Sequence, residues 1–231
     1  MGHLDVTPVG DSAVLIRFGD AVEASTHARI MAFADHLEAV PIPGMVECVP
    51  AFTTVTVFYD PCRASYSEVK AELLRRLTLA PAFLDREVRV VKIPVCYGGE
   101  FGPDLEDVAA HHDLTAEEVV RIHTAGEYTV YAIGFAPGFP YLGGMSERIA
   151  TPRLATPRLA IPAGSVGIAG GQTGVYPIET PGGWRLIGRT PLRLFRPEDD
   201  PPSLLAAGDR VRFYAIDRDE YDRLAAGDDG G

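Results

Sequence analysis

Residues 130–196 carry seven arginines (Arg148, Arg153, Arg158, Arg185, Arg189, Arg193 and Arg196) against two acids, Glu147 and Glu179. That segment is +5 in a chain whose formal charge is −11. A guanidinium is a planar fork that fits carboxylate or phosphate. A basic island on an acidic chain therefore points to an anionic ligand or an acidic partner, with ordinary surface ion pairing as the alternative. Arg153 and Arg158 occupy the same place in a pentad, Thr-Pro-Arg-Leu-Ala, that occurs at 151–155 and again at 156–160. Two prolines in ten residues hold that stretch extended and set the arginines at a defined separation.

Two further segments have the composition of a binding surface. Residues 135–144, Phe-Ala-Pro-Gly-Phe-Pro-Tyr-Leu-Gly-Gly, form a proline-stiffened aromatic loop. Phe139 and Tyr141 can line an apolar groove, or the loop can plug a barrel end. Trp184, the chain's single tryptophan, follows Pro181-Gly182-Gly183, and a lone Trp is more often core than ligand platform. Residues 164–174 are the densest glycine segment, where backbone N–H groups could approach a ligand or where tight turns join strands. Gln172 and Thr173 are its polar candidates; with no Gly-Lys-Ser/Thr and no lysine, it is not a Walker phosphate loop.

Self-contained catalytic signatures are missing. The sequence has no Gly-x-Ser-x-Gly elbow, no His-Glu-x-x-His and no nucleophile with a nearby His–acid set. His111, His112 and His123 read as surface or capping residues, and Glu179 as an isolated carboxylate. Cys48, Cys62 and Cys96 are odd in number and lack CxxC spacing, which fits neither a disulfide framework nor structural zinc and suggests the reducing cytosol. The acidic balance argues against nucleic acid and anionic membranes, and no apolar run approaches the ~18 residues of a membrane span. The residues favour a binding module or an enzyme subunit.

The elements that must position these groups divide the 231 residues in two. The first half predicts a strand at 12–18 and a helix from Asp20 to about Val40 with Ile30, Phe33 and Leu37 on one face. Two strands follow over 45–59, then a helix opened by Ser65 and Glu68 and closed by Pro81, then a strand at 88–97. That order, β-α-β-β-α-β, is the split arrangement of ferredoxin-like domains. The second half predicts short helices at 104–112 and 115–123, the latter capped by Thr115 and Glu118. Strands at 128–135, 166–169, 184–187, 192–195 and 210–215, divided by Gly and Pro, point to a closed barrel or sandwich with no further amphipathic helix. The expected division is 1–85, 86–220 and a flexible tail at 221–231.

The runs 128–144, Pro152-Arg153, Pro157-Arg158, 161–166, Gly170-Gly171-Gln172-Thr173-Gly174-Val175-Tyr176-Pro177, 181–191 and 208–213 resemble the allophanate hydrolase subunit 1 family. The likeness covers nearly the whole chain. The family includes the B component of bacterial 5-oxoprolinase and a Kip-type inhibitor of a sporulation histidine kinase, and is similar to part of the urea carboxylase carboxyltransferase domain. The resemblance implies an α+β chain, ferredoxin-like at the N-terminus and then a cyclophilin-like β-barrel. It implies a cytoplasmic subunit, inactive alone, of an ATP-dependent 5-oxoprolinase that opens 5-oxo-L-proline to L-glutamate. The implied partners are a subunit 2-type protein and a LamB/YcsF-type subunit. A histidine-kinase inhibitor and a carboxyltransferase-type subunit of urea or allophanate metabolism are the alternatives. The family's motifs add Tyr176 to the candidates Phe139, Tyr141, Arg153, Arg158, Gln172, Thr173, Trp184 and Arg189. Charge reversal at Arg158 is expected to abolish assembled activity with the fold intact.

Overall fold

The structure is a computed structural model that describes residues 4–79 and 88–227. They fall into two compact units, the first ending at Val88 and the second beginning at Arg89.

The first unit runs β1 (Asp5–Val9), β2 (Ala13–Arg17), α1 (Ala24–Ala39), β3 (Met45–Ala51), β4 (Thr54–Tyr59) and α2 (Tyr66–Leu79). Its strands form an antiparallel sheet in the order β1-β2-β4-β3. Alternate residues Val14, Ile16, Val55 and Val57 pack against Ile30, Phe33 and Leu37 of α1 and against Val69 and Leu73 of α2. This is the period-two stripe of a strand meeting the period-3.6 stripe of a helix. Helix α2 has the reciprocal cap its sequence predicts: the Ser65 N–H donates to Glu68 Oε2 at 2.8 Å and the Glu68 N–H to Ser65 Oγ at 3.3 Å. Helix α1 starts behind Glu23, which makes no side-chain cap bond, and not at Asp20.

The order of this unit is ββαββα, which corrects the βαββαβ expectation. Residues 90–97 belong to the second unit, and β1 completes the first sheet instead. The alternation in β1 is interrupted by Pro8, tolerable because β1 is an edge strand. The expected helix stop at Pro81 and the division at 85/86 lie outside the described residues.

The second unit contains β5 (Val90–Tyr97), α3 (Leu105–His111), α4 (Ala116–Ala125), β6 (Tyr128–Ile133) and β7 (Pro140–Gly143). There follow β8 (Arg158–Ile161), β9 (Ser165–Ala169), β10 (Gln172–Val175), β11 (Thr180–Gly182), β12 (Arg185–Arg189), β13 (Arg210–Ala215) and α5 (Arg218–Gly227). Seven strands close into a barrel in the order β10-β7-β6-β13-β5-β12-β9, and β8 pairs with β11 as a separate ribbon. Strands β13 and β5 run parallel; the other barrel pairs are antiparallel. Ile93, Val95, Val130, Leu142, Val166 and Ile168 fill the interior. These inward residues alternate with outward ones, as closure demands.

Residues 192–195, read as a strand, carry only an isolated bridge from Phe195 to Ser203. Conversely, α5 occupies residues expected to be a flexible tail. It buries no side chain, so it leaves no apolar stripe to read. Local charge pairs support it instead: Arg223 with Glu220 at 2.6 Å and Arg218 with Asp222 at 2.8 Å. Residues 228–231 lie outside the described residues. No helix among the described residues is long and apolar enough to cross a membrane.

Candidate binding cleft

The loop from β6 to β7 turns on Phe135 (φ 68°) and Gly138 (φ 77°). It is tied to itself by Gly134 N–H to Phe139 O at 3.0 Å and Phe139 N–H to Ala136 O at 3.0 Å. This construction drives the Phe139 ring inward, where it is 2% exposed, and leaves Phe135 65% exposed at the rim. Phe139 is the hub of an edge-to-face cluster. Its ring centroid lies 5.1 Å from Tyr141, 5.3 Å from Tyr176 and 5.5 Å from Trp184. Such T-shaped pairs set the positive ring edge of one against the negative face of another.

The glycines explain how the rings fit. A methyl group on Gly174 would sit 3.1 Å from both Phe139 Cζ and Trp184 Cζ3, and one on Gly167 would sit 3.0 Å from Trp184 Cβ. The glycine-rich segment is therefore a β9–β10 hairpin whose bare backbone lets aromatic rings lie against the barrel wall. At Gly182 an added methyl would come within 2.5 Å of the Tyr176 hydroxyl oxygen and 2.9 Å of Ile161 Cδ1. Gly182→Ala is expected to cost about 1–3 kcal/mol through overpacking, measurable by urea denaturation.

Between this cluster and the β8–β11 ribbon lies a cleft of about 280 Å3. Phe135, Phe139, Tyr141, Tyr176 and Trp184 form its aromatic wall, Pro157, Pro181, Gly182 and Gly183 line the rest, and Arg153 supplies the charge. The Arg153 guanidinium lies over the Trp184 ring, 5.9 Å from its centroid. Its loop is pinned there by the Leu154 N–H donating to Gly183 O at 2.8 Å. Tyr176 is 1% exposed. Burial raises its phenol pKa, while the Trp184 backbone N–H it accepts and the charges of Arg153 and Arg158 pull the other way. The phenol thus keeps its proton at neutral pH.

The repeated pentads have opposite fates. Arg153 makes no ion pair among the described residues, whereas Arg158 forms a fork with the buried Asp104 carboxylate at 2.7 and 2.9 Å. Asp104 also accepts the Leu186 N–H at 2.6 Å. It stands at the N-terminus of α3 without capping its own helix, and ties α3 to β8 and β12. This corrects the expectation for Arg158: a glutamate there would face Asp104, so charge reversal would not spare the fold. The rest of the basic island is largely neutralised in place. Arg185 pairs with Asp107 at 3.0 Å, Arg193 with Glu198 at 2.8 Å, and Arg196 with Asp199 at 3.3 Å.

Of the nine sequence candidates, Phe139, Tyr141, Arg153, Tyr176 and Trp184 meet at the cleft. Arg158 stands behind it, close enough for its charge to reach Tyr176. Arg189 is outside, its Nε donating to Ala163 O at 2.8 Å. Gln172 is half-buried at the hairpin tip, outside the lining. Thr173 is fully buried; its hydroxyl donates to Gly167 O at 2.9 Å and lies 3.0 Å from His123 Nε2. His123 corrects its own expectation, being 0% exposed rather than a surface or capping residue. Since the Thr173 proton goes to Gly167, His123 Nε2 carries the hydrogen of that contact and Nδ1 accepts from the Tyr97 hydroxyl at 2.7 Å. Sequence reasoning missed Asp104 and His123 because their partners lie 54 and 50 residues away.

A closed barrel bearing an aromatic cleft with one open arginine is the class of site that fold and geometry define. The chain belongs to the family described as carboxyltransferase domain, subdomain C and D, whose model matches residues 4–205. It is similar to the B component of the 5-oxoprolinase of Bacillus subtilis (strain 168), 54% identical over 226 residues, 94% of each chain. The corresponding 5-oxoprolinase component of Escherichia coli O157:H7 is 47% identical over 206 residues, 89% of this chain and 93% of that one. Among solved structures, TTHA0988 superposes with a TM-score of 0.79 at 40% identity, over 89% of this chain; this chain spans 40% of TTHA0988.

Proposed function

We propose that this chain is a subunit of an ATP-dependent 5-oxoprolinase, inactive alone, that opens 5-oxo-L-proline to L-glutamate. The observation that carries this reading is end-to-end similarity, 94% of both chains, to a protein named as the B component of a 5-oxoprolinase. The cleft supports the subunit role. Among its lining residues there is no carboxylate, imidazole, thiol or amine, so it offers binding without a base or nucleophile.

The cleft does not fit ATP. One open arginine faces what would be a triphosphate, and no lining carboxylate could hold a divalent cation beside it. On this reading the nucleotide is held outside this cleft, and a subunit 2-type protein and a LamB/YcsF-type subunit are the partners of the assembly. The cytoplasm is the compartment this reading implies.

The test is reconstitution. Co-expressed with both partners, the chain is expected to give glutamate from 5-oxo-L-proline only when ATP is present, and to give none when purified alone. Turnover by the isolated chain, or none from the complete set, would remove the reading.

A further inference from the structure

The side chains lining the cleft are unusually one-sided in hydrogen bonding. Arg153 has donors only. Tyr176 lines the cleft, and its phenol keeps its proton, so its hydroxyl can donate. Tyr141 and the indole of Trp184, a donor only, are the remaining polar side chains, and the other lining side chains are apolar. A guanidinium lying over an indole is held in orientation while its in-plane N–H groups stay available for a partner. Nearby arginines are already engaged, Arg158 by Asp104 and Arg185 by Asp107.

We propose that the cleft is a binding site for a small, flat monocarboxylate, its acid group taken by the Arg153 guanidinium and the Tyr176 hydroxyl and its body laid against the aromatic wall. A single cation with one neutral donor matches a single negative charge; a phosphate dianion would be left short of donors. At about 280 Å3 the cleft is just under the roughly 300–1,000 Å3 of drug-sized ligand pockets, which suits one small ring and excludes a nucleotide. The choice of a lactam carboxylate such as 5-oxo-L-proline as the ligand rests on the proposed function; the chemistry of the site does not. Gly182 and Gly183 keep the floor open where a side chain would collide with the Tyr176 hydroxyl or narrow the entrance.

Trp184 is the only tryptophan of the chain and forms one wall, so its fluorescence reports directly on the cleft. The full chain is titrated with 5-oxo-L-proline, with cyclopentanecarboxylate (ring and acid, no lactam), with 2-pyrrolidone (lactam, no acid) and with inorganic phosphate. The two carboxylates are expected to give a saturable change; 2-pyrrolidone and phosphate are not. Arg153→Gln is expected to weaken carboxylate binding about 10- to 100-fold, the value of hydrogen bonds to a charged group. Tyr176→Phe is expected to weaken it several-fold. Arg193→Gln, at an exposed pair outside the lining, serves as the control and leaves it unchanged.

In the reconstituted enzyme Arg153→Gln is expected to raise KM for 5-oxo-L-proline by a similar factor with little change in kcat, the pattern of lost ground-state binding. Unaltered carboxylate affinity in Arg153→Gln, or an equal response to 2-pyrrolidone, overturns the site. So does a free chain silent to both carboxylates when Arg153→Gln keeps the wild-type KM. A wild-type assembly that makes no glutamate sinks the proposed function alone if the free chain still binds cyclopentanecarboxylate through Arg153. Silence together with an inactive assembly sinks both.

Discussion

Asp104→Ala is expected to destabilise the barrel unit by about 3 kcal/mol, one of the two largest effects of a single substitution foreseen for this chain. The carboxylate is 4% exposed and satisfies three N–H donors, two from Arg158 and one from the Leu186 backbone. Removing it orphans a buried backbone N–H, at about 1–3 kcal/mol, and strips Arg158 of its counter-charge. Breaking a fully buried pair costs about 3–5 kcal/mol, but the Arg158 side chain is 31% exposed and can recover water, which brings the sum down. Arg158→Ala leaves the buried Asp104 charge with the Leu186 N–H alone and is expected to cost a comparable amount. Arg158→Glu adds like-charge repulsion and is expected to be the worst of the three. Urea denaturation followed by Trp184 fluorescence reads all of them, because Trp184 precedes β12, the strand Asp104 holds through Leu186. An Asp104→Ala variant within about 1 kcal/mol of wild type would show that the fork does not anchor these elements.

The same pair shows what a sequence can and cannot disclose. Arg153 and Arg158 stand in identical pentads, so composition, charge and local spacing treat them alike. They are separated by a carboxylate far upstream, and only the topology that brings the α3 N-terminus to β8 decides which one is spent on structure. The aromatic candidates were easier to read, because a proline-stiffened run such as 135–141 restricts its own conformation whatever surrounds it. The caps at Ser65–Glu68 and Thr115–Glu118 form as local chemistry dictates, each within a single turn. The barrel strand at 210–215 was legible from its period-two alternation, Val211 and Phe213 inward between Arg210, Arg212 and Tyr214. Strand β1 and helix α5 were not, because each lies at the surface and neither carries the buried stripe that periodicity detects. Thr173 stood out as a side chain able to donate and accept in a glycine-rich segment; its partner is a histidine fifty residues away.

That histidine leads to the second large effect, a loss of stability on mild acidification. His123 is enclosed by Phe213, whose ring centroid is 4.6 Å away, by Tyr128 at 5.4 Å and by Tyr97 at 5.7 Å. The groups facing it from β5, β6, β10 and β13 are Tyr97, Tyr128, Thr173 and Phe213, none of them charged. Burial pushes its pKa down from 6.5 to about 3. The folded chain therefore holds the neutral ring, while the unfolded chain takes up a proton below about pH 6.5. The unfolded state binds more protons throughout that window, so stability is complete above about 6.5 and declines as pH falls toward about 3. Over the roughly two units from about 6.5 to about 4.5 the loss is expected to be about 2–3 kcal/mol. Glu68, Glu72, Glu118 and Glu198, whose pKa values lie below the ordinary 4.5, withdraw their smaller contributions only at still lower pH. His123→Gln separates this group from the rest. It is expected to be less stable than wild type at about pH 7, having lost the ring and its enclosure, but nearly flat between about 6.5 and about 4.5, so that the two curves converge on acidification. A wild-type unfolding free energy that stays constant across that interval would mean that His123 takes up its proton inside the folded barrel, against the cost of burying an ion that no carboxylate faces.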